Sequence, residues 1–220
     1  MGKPPSKTLI IITIIVLLLG SAWNIGSRLF FPRATLQSLL QHGIRAYRTG
    51  AIDQALAHFQ DASQKAPNDA SIHYMQAQSY EAMGREDDAI EHYRKTIELD
   101  ARLSAPHYNL AVIYNRRKDY PAAETELRRA ILIQPGFLGA SLMLGGILHE
   151  QEKYEDAVTV LKKLLTARNL DRSFEIKARH MLAKAYLAQD ETQQARAQWE
   201  KILRLDFTNQ EAIDQLAKTR

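Results

Sequence analysis

A 34-residue period fills the chain from about Leu36 to Asn209, and it constrains the fold more than any single residue does. A small residue recurs at Gly43, Ala77, Ala111, Gly145 and Ala183. An alanine recurs at Ala55, Ala89, Ala123, Ala157 and Ala195, and a large apolar residue follows each four places on, at Phe59, Tyr93, Leu127, Leu161 and Trp199. In every column the spacing is 34, 34, 34 and then 38. Self-similarity at a fixed period of this length marks a stacked repeat array.

The columns have a physical reading. Twelve positions separate each of the first small residues from the next alanine, room to finish one helix, turn and begin another. A small side chain lets the two backbones approach, and the large residue four places after the alanine shares that face of the second helix. Turn residues fall between the helices, at Thr49-Gly50, Gly84-Arg85, Lys118 to Pro121, Glu152-Lys153 and Gln189-Asp190. Acidic residues then open several second helices (Asp53, Asp87, Asp88, Glu155 and Asp156), where the positive helix end favours them. Pro121 suits a first helical turn, while Pro67 and Pro135 stop the second helices before them. The pattern predicts helix–turn–helix, five times over.

These residues resemble the tetratricopeptide repeat family, whose pattern runs W-x2-L-G-x2-Y, then A-x3-F, then P. The third repeat supplies His107, Leu110, Ala111 and Tyr114, then Ala123, Leu127, Ala130 and Pro135. The second supplies His73, Ala77 and Tyr80, then Ala89 and Tyr93. No repeat has Trp at the first position, where Leu39, His73, His107, Ser141 and Arg179 stand. Ala46 and Leu148 replace the usual Tyr in the first and fourth repeats. The resemblance implies an all-α, right-handed α-solenoid of five repeats at 36–69, 70–103, 104–137, 138–171 and 176–209. A capping helix at 210–220 is expected to close it, opened by Asn209 and apolar at Ala212, Ile213, Leu216 and Ala217. The four residues 172–175 are extra: they lengthen the preceding loop or a helix and could re-angle the last repeat, and a tolerated loop insertion is the favoured reading.

The N-terminus follows other rules. Residues 8–27 carry no charge, after a basic tail at 1–7 holding Lys3 and Lys7 and before a linker at 28–35 holding Arg28 and Arg33. A membrane helix needs about 20 mostly apolar residues, and Trp23, Phe30 and Phe31 provide interfacial anchors. A cleaved signal peptide fits as well, with Leu9 to Leu19 as its core and Gly20-Ser21-Ala22 at the cut. The uncharged stretch runs past Ala22, which favours an uncleaved single-pass anchor. Ser21 stands where a bacterial lipoprotein would need cysteine, which excludes that anchor. A short basic N-terminus is the more easily retained in the cytoplasm, placing the repeats on the extracytoplasmic, periplasmic side.

Charge and chemistry narrow the function. The chain is +4 overall, but four basic and no acidic residues lie in the first 34 positions, so the remaining 25 basic and 25 acidic residues cancel. Nucleic-acid binding would need a concentrated basic patch, and none is visible. With no cysteine there is neither disulfide nor thiolate metal site. His73 and His107 share a repeat column, as do His58 and His92, and His149-Glu150 lacks the second histidine of a zinc protease helix. No phosphate loop or nucleophile elbow appears. The expectation is therefore no catalytic residue, no cofactor and no metal.

What the resemblance implies instead is a protein-binding groove lined by the first helix of each pair. Its candidates are Gln37, Leu40, Ile44 and Tyr47; Tyr74, Gln78 and Glu81; Tyr108, Asn109, Val112 and Asn115; Leu142, Gly146 and His149; and Lys177, His180 and Lys184. The family's carboxylate clamp uses Lys and Asn early in these helices; Leu40 and Ile44 hold the first-repeat places, and only Asn109 is similar. Tyr74 and Tyr108, one repeat apart, and the amides Asn109 and Asn115 are expected to hold a peptide or helix by its apolar side chains and backbone. Such a chain is a scaffold or assembly factor. The alternative is a homo-oligomer built through an exposed apolar end, with Phe207 and the C-terminal helix as its surface.

Overall fold

The computed structural model describes residues 34–168 and 170–219, and among them lie eleven α-helices and no strand. The anchor expected at residues 8–27 and the tail before it lie outside the described residues; among those described, no helix is long and apolar enough to cross a membrane. The described residues fall into two units, divided between Lys65 and Ala66.

In the first unit, α1 (Leu36–Arg48) turns back through three residues into α2 (Ile52–Lys65). Thr35 caps α1 by accepting the Ser38 backbone N–H at 3.1 Å. Gly43 is buried against Phe59, and a Cβ at Gly43 would lie 2.5 Å from that ring.

The second unit holds α3 (Ala70–Ala82), α4 (Glu86–Leu99), α5 (Ser104–Arg116), α6 (Tyr120–Ile133), α7 (Leu138–Glu150) and α8 (Tyr154–Leu164). It continues through α9 (Arg172–Leu187), α10 (Thr192–Leu205) and α11 (Gln210–Lys218). Asp69, Asp119, Asp171 and Asn209 cap α3, α6, α9 and α11 through side-chain oxygens. Helices α3 to α8 and α10 to α11 pack in sequence order, with α9 between α8 and α10.

One turn geometry serves every repeat. Gly50, Gly84, Lys118, Glu152 and Asp190 all have φ between 59° and 80°. The residue after each donates its backbone N–H to the carbonyl five residues earlier, as in Ala51 to Ala46, Arg85 to Tyr80, Asp119 to Tyr114, Lys153 to Leu148 and Glu191 to Tyr186, at 2.8–2.9 Å. This is the Schellman closure, in which a left-handed residue turns the chain and the last carbonyls find partners.

The core follows from the small–large pairing. A Cβ at Gly145 would lie 2.6 Å from Leu161 Cδ2, so only glycine permits this approach without moving the leucine. Ala77, Ala111 and Ala183 are fully buried at the same position. One cluster joins Ala111, Leu127, Ala140, Leu144 and Leu148 across α5 to α8. A second joins Leu161, Leu182, Tyr186, Trp199 and Ile202 across α8 to α10, with Ala212 of α11 closing it. The four extra residues, 172–175, are helical rather than the loop insertion favoured from the sequence, because Asp171 caps a helix that begins at Arg172: α9 has 16 residues where α3, α5 and α7 have 13. Arg172 in that added turn donates to the Leu205 carbonyl at the end of α10.

Glu124 on α6 ties neighbouring repeats together. Its carboxylate accepts from Lys153 at 2.7 Å, Gln151 at 2.9 Å and Arg128 at 2.8 Å. Burial alone would raise its pKa, but the donors from Lys153, Arg128 and Gln151 prevail and lower it to about 2. A carboxylate depressed in the folded state contributes stability that is complete above its unfolded value and lost as pH falls through the folded one. The stability advantage of the native chain over Glu124→Gln is therefore expected to be full above about pH 4.5 and to vanish toward about pH 2, read by urea titration across that range. Leu127→Ala, at a side chain with 0% exposure, is expected to destabilise by about 2–5 kcal/mol in the same assay.

Candidate partner-binding site

The groove candidates of the second unit lie on α3, α5, α7 and α9, and most are half-buried: Tyr74, Gln78, Tyr108, Asn109, Val112, Asn115, Leu142, Gly146 and His149. Lys184 is exposed and His180 is buried. In the first unit Leu40, Ile44 and Tyr47 are half-buried and Gln37 is exposed.

Several of these side chains are already engaged within the fold. Asn109 donates to the Tyr74 hydroxyl at 3.1 Å and to the Tyr93 hydroxyl at 2.9 Å, so both protons of its amide are committed. Tyr93 in turn donates to Glu81 at 2.8 Å, and Glu81 accepts from Arg116 at 3.1 Å. Burial first, then the Glu81 carboxylate, raises the Tyr93 phenol well above its ordinary pKa, which keeps its proton in this chain of bonds. Arg116 also reaches Glu86 at 3.0 Å, and Arg117 reaches Glu86 at 2.7 Å and Asp87 at 2.9 Å. The second and third repeats are thus joined by a continuous polar path from Tyr74 to Asp87.

The two tyrosines meet different rings. Tyr74 lies 5.7 Å from the Tyr93 ring centroid, and Tyr108 lies 4.9 Å from Phe137. Lys184 pairs with Glu211 at 3.1 Å, and His149 sets its ring edge-on to Tyr154 at 5.3 Å. His180 is turned inward to Asn209 at 3.2 Å, the residue that caps α11. By contrast, no side-chain hydrogen bond ties Asn115 to any described residue. Together with Tyr108 and Val112 on the same face of α5, at i, i+4 and i+7, it forms the part of the predicted surface free to bind.

Sequence reasoning missed one set of contacts. His73 and His92, each assigned to a repeat column, meet with their Nδ1 atoms 3.3 Å apart, while His73 Nε2 lies 2.9 Å from the Pro67 carbonyl. Burial first, and His73 second, hold His92 below the usual imidazole pKa. The same two columns pair His107 with Glu126 at 2.6 Å and Arg179 with Gln198 at 3.0 Å. A constant separation of 19 residues between the partners was the available signal. Among the described residues no group of three or more acidic, histidine or cysteine side chains could hold a metal ion.

A helix-pair array with this turn and this small–large contact matches known proteins. A family model described as the Cilia and flagella-associated protein 70 middle TPR-like domain matches residues 73–206, and a tetratricopeptide repeat model matches residues 40–104. The first spans more than half of the chain, and the chain belongs to the tetratricopeptide repeat family.

Among curated proteins, it is similar to the TPR repeat-containing protein YpiA of Bacillus subtilis, 21% identical over 169 residues. That match takes in 74% of this chain but only 38% of YpiA, so the chain spans well under half of that relative's length. Among solved structures, YrrB, described as a TPR protein with an unusual peptide-binding site, superposes with a TM-score of 0.70 at 14% identity, covering 86% of this chain and 94% of YrrB. MamA of Desulfovibrio magneticus RS-1 superposes with a TM-score of 0.69 at 18% identity, covering 80% of this chain and 97% of that one. At these identities the likeness is one of fold.

The polar path yields a prediction. Asn109→Ala removes a donor from two tyrosine hydroxyls and is expected to destabilise by about 1–3 kcal/mol, measured by thermal and urea unfolding. A change within a few tenths of a kcal/mol would mean that the amide is free for a partner after all.

Proposed function

We propose that the chain is a membrane-tethered interaction module that captures a protein partner, as a peptide or helix, on its first-helix face. The observation that carries this is the patch Tyr108, Val112 and Asn115 on α5, half-exposed and with an uncommitted amide, with Leu142 and Gly146 half-exposed on the next first helix, α7. A Cβ at Gly146 would meet only Met181 Cε, at 3.6 Å, so the surface there is lowered rather than crowded. An apolar wall with one amide suits a segment that offers alternate apolar side chains and a backbone group. YrrB, whose fold this chain shares, is described as having a peptide-binding site, which supports the reading by analogy.

In this proposal residues 8–27 form the anchor, and the repeats stand at the extracytoplasmic, periplasmic face. Tethering raises the effective concentration at the membrane, so modest affinity suffices for a scaffold or assembly factor. Protein capture of this kind needs no catalytic group. The exposure of Phe207 favours self-association as a second reading.

The test replaces Tyr108 by Leu and Asn115 by Ala together, because leucine keeps the packing that Tyr108 makes beside Phe137. Affinity capture from gently solubilised membranes, with mass spectrometry, is expected to lose its partner by about tenfold or more while helicity and melting stay near those of the native chain. Equal capture by native and variant chains would remove this face as the binding site.

A further inference from the structure

The polar rung between first and second helices is absent from two repeats: the first has Leu39 opposite His58, and only the fourth combines the missing pair with a small residue in the first column. Where others carry His73 with His92, His107 with Glu126, or Arg179 with Gln198, the fourth repeat carries Ser141 and Val160. Serine is the smallest side chain of its column. Instead of a rung, these two residues line an open apolar groove of about 770 Å³ on α6, α7 and α8, floored by Ile131, Leu138, Leu144 and Leu164. Leu132 stands at its edge, 73% exposed. Arg128 and Lys163 are its cations: Arg128 is held by Glu124, while Lys163 pairs with no described acid.

One large apolar side chain among the described residues is exposed more than Leu132. Phe207, in the turn between α10 and α11, is 82% exposed. Asp206 fixes that turn by accepting the Thr208 backbone N–H at 3.1 Å and hydroxyl at 2.7 Å, so the ring is presented on a built loop. Asp206 precedes it, and the exposed Glu211 and Asp214 follow on α11.

We propose that the groove of the fourth repeat receives Phe207 of a second copy of this chain. The two most exposed large apolar side chains among the described residues, Phe207 and Leu132, leave water in a single contact. An aromatic ring in an apolar pocket is the usual anchor of an interface. The charges agree, with Asp206 beside the ring and Lys163 beside the groove. The chain does not fill its own groove, because its own Phe207 stands in solvent. In this proposal the contact is head-to-tail, each copy giving Phe207 to one neighbour and its groove to another, which leads to rings or open assemblies. It uses neither Tyr108 nor Asn115, so the first-helix face and this groove stand or fall separately.

The absence of cysteine makes the test clean, since introduced thiols have no competitors. Full-length Ser141→Cys chains are mixed in mild detergent and oxidised with full-length Thr208→Cys chains, which keep the Phe207 ring and carry the thiol on the exposed residue beside it. The expected product is a disulfide-linked dimer, formed about tenfold more than when Ala57→Cys replaces Ser141→Cys, and about tenfold less when the Thr208→Cys chain also carries Phe207→Ser. A chain carrying both Ser141→Cys and Thr208→Cys is expected to give a ladder of multimers, which mixed single variants cannot. Circular dichroism checks that each chain folds. Cross-linking no greater than the Ala57→Cys control, or unchanged by Phe207→Ser, overturns the proposal. So does dimerisation of Thr208→Cys chains alone at the same yield, which would mean a symmetric contact, or persistent capture of a foreign protein at Ser141→Cys in place of a second copy.

Discussion

Everything in this structure depends on how closely two helix backbones can come together inside each repeat. At Gly43 and Gly145 the facing Phe59 and Leu161 occupy the space a Cβ would need, and at Ala77, Ala111 and Ala183 the methyl group is fully buried. That approach sets where the second helix lies, and hence which residues of the first helix are left facing outward. The turn supports the same geometry, with one left-handed residue in each of five connections. Close packing makes such contacts stiff, so a repeated small–large pair fixes a repeated unit.

Much of this was readable before any coordinates. The period, the small column, the alanines and the turn positions are all set by local sterics, which act within a dozen residues and therefore leave a periodic trace. The extra residues 172–175 could be located but not correctly assigned, because four residues can extend a loop or a helix equally well; Asp171 capping Ser173 and Phe174 decides for the helix. The candidate site was less legible. Asn109 had the chemistry of a ligand-holding amide, yet the tyrosines of two other helices consume its protons. That outcome depends on side chains 16 and 35 residues away, which no local pattern encodes. Asn115, six residues further along the same helix, was indistinguishable from it by type.

The histidines show the converse. Their columns were plain in the sequence, but a column says only that positions are equivalent, not that two columns face each other. Once His73 meets His92, the same alignment explains His107 with Glu126 and Arg179 with Gln198. It also shows Ser141 and Val160 as a departure, and departures within a regular array are where individual repeats acquire separate roles. Two surfaces of different character result: a half-exposed first-helix face with an uncommitted amide, and an apolar groove edged by cations.

The longer α9 has a consequence for how such an array can grow. Four added residues amount to a little more than one turn at 3.6 residues per turn, so they lengthen the helix while leaving its buried face within about 40° of its former direction. Ala178, Leu182 and Ala183 remain buried beneath them, and Arg172 in the new turn finds the end of α10. Length in this architecture is quantised. An insertion of two residues would rotate the apolar stripe to solvent, whereas one of about a full turn is absorbed at a helix end, and the next repeat resumes in phase.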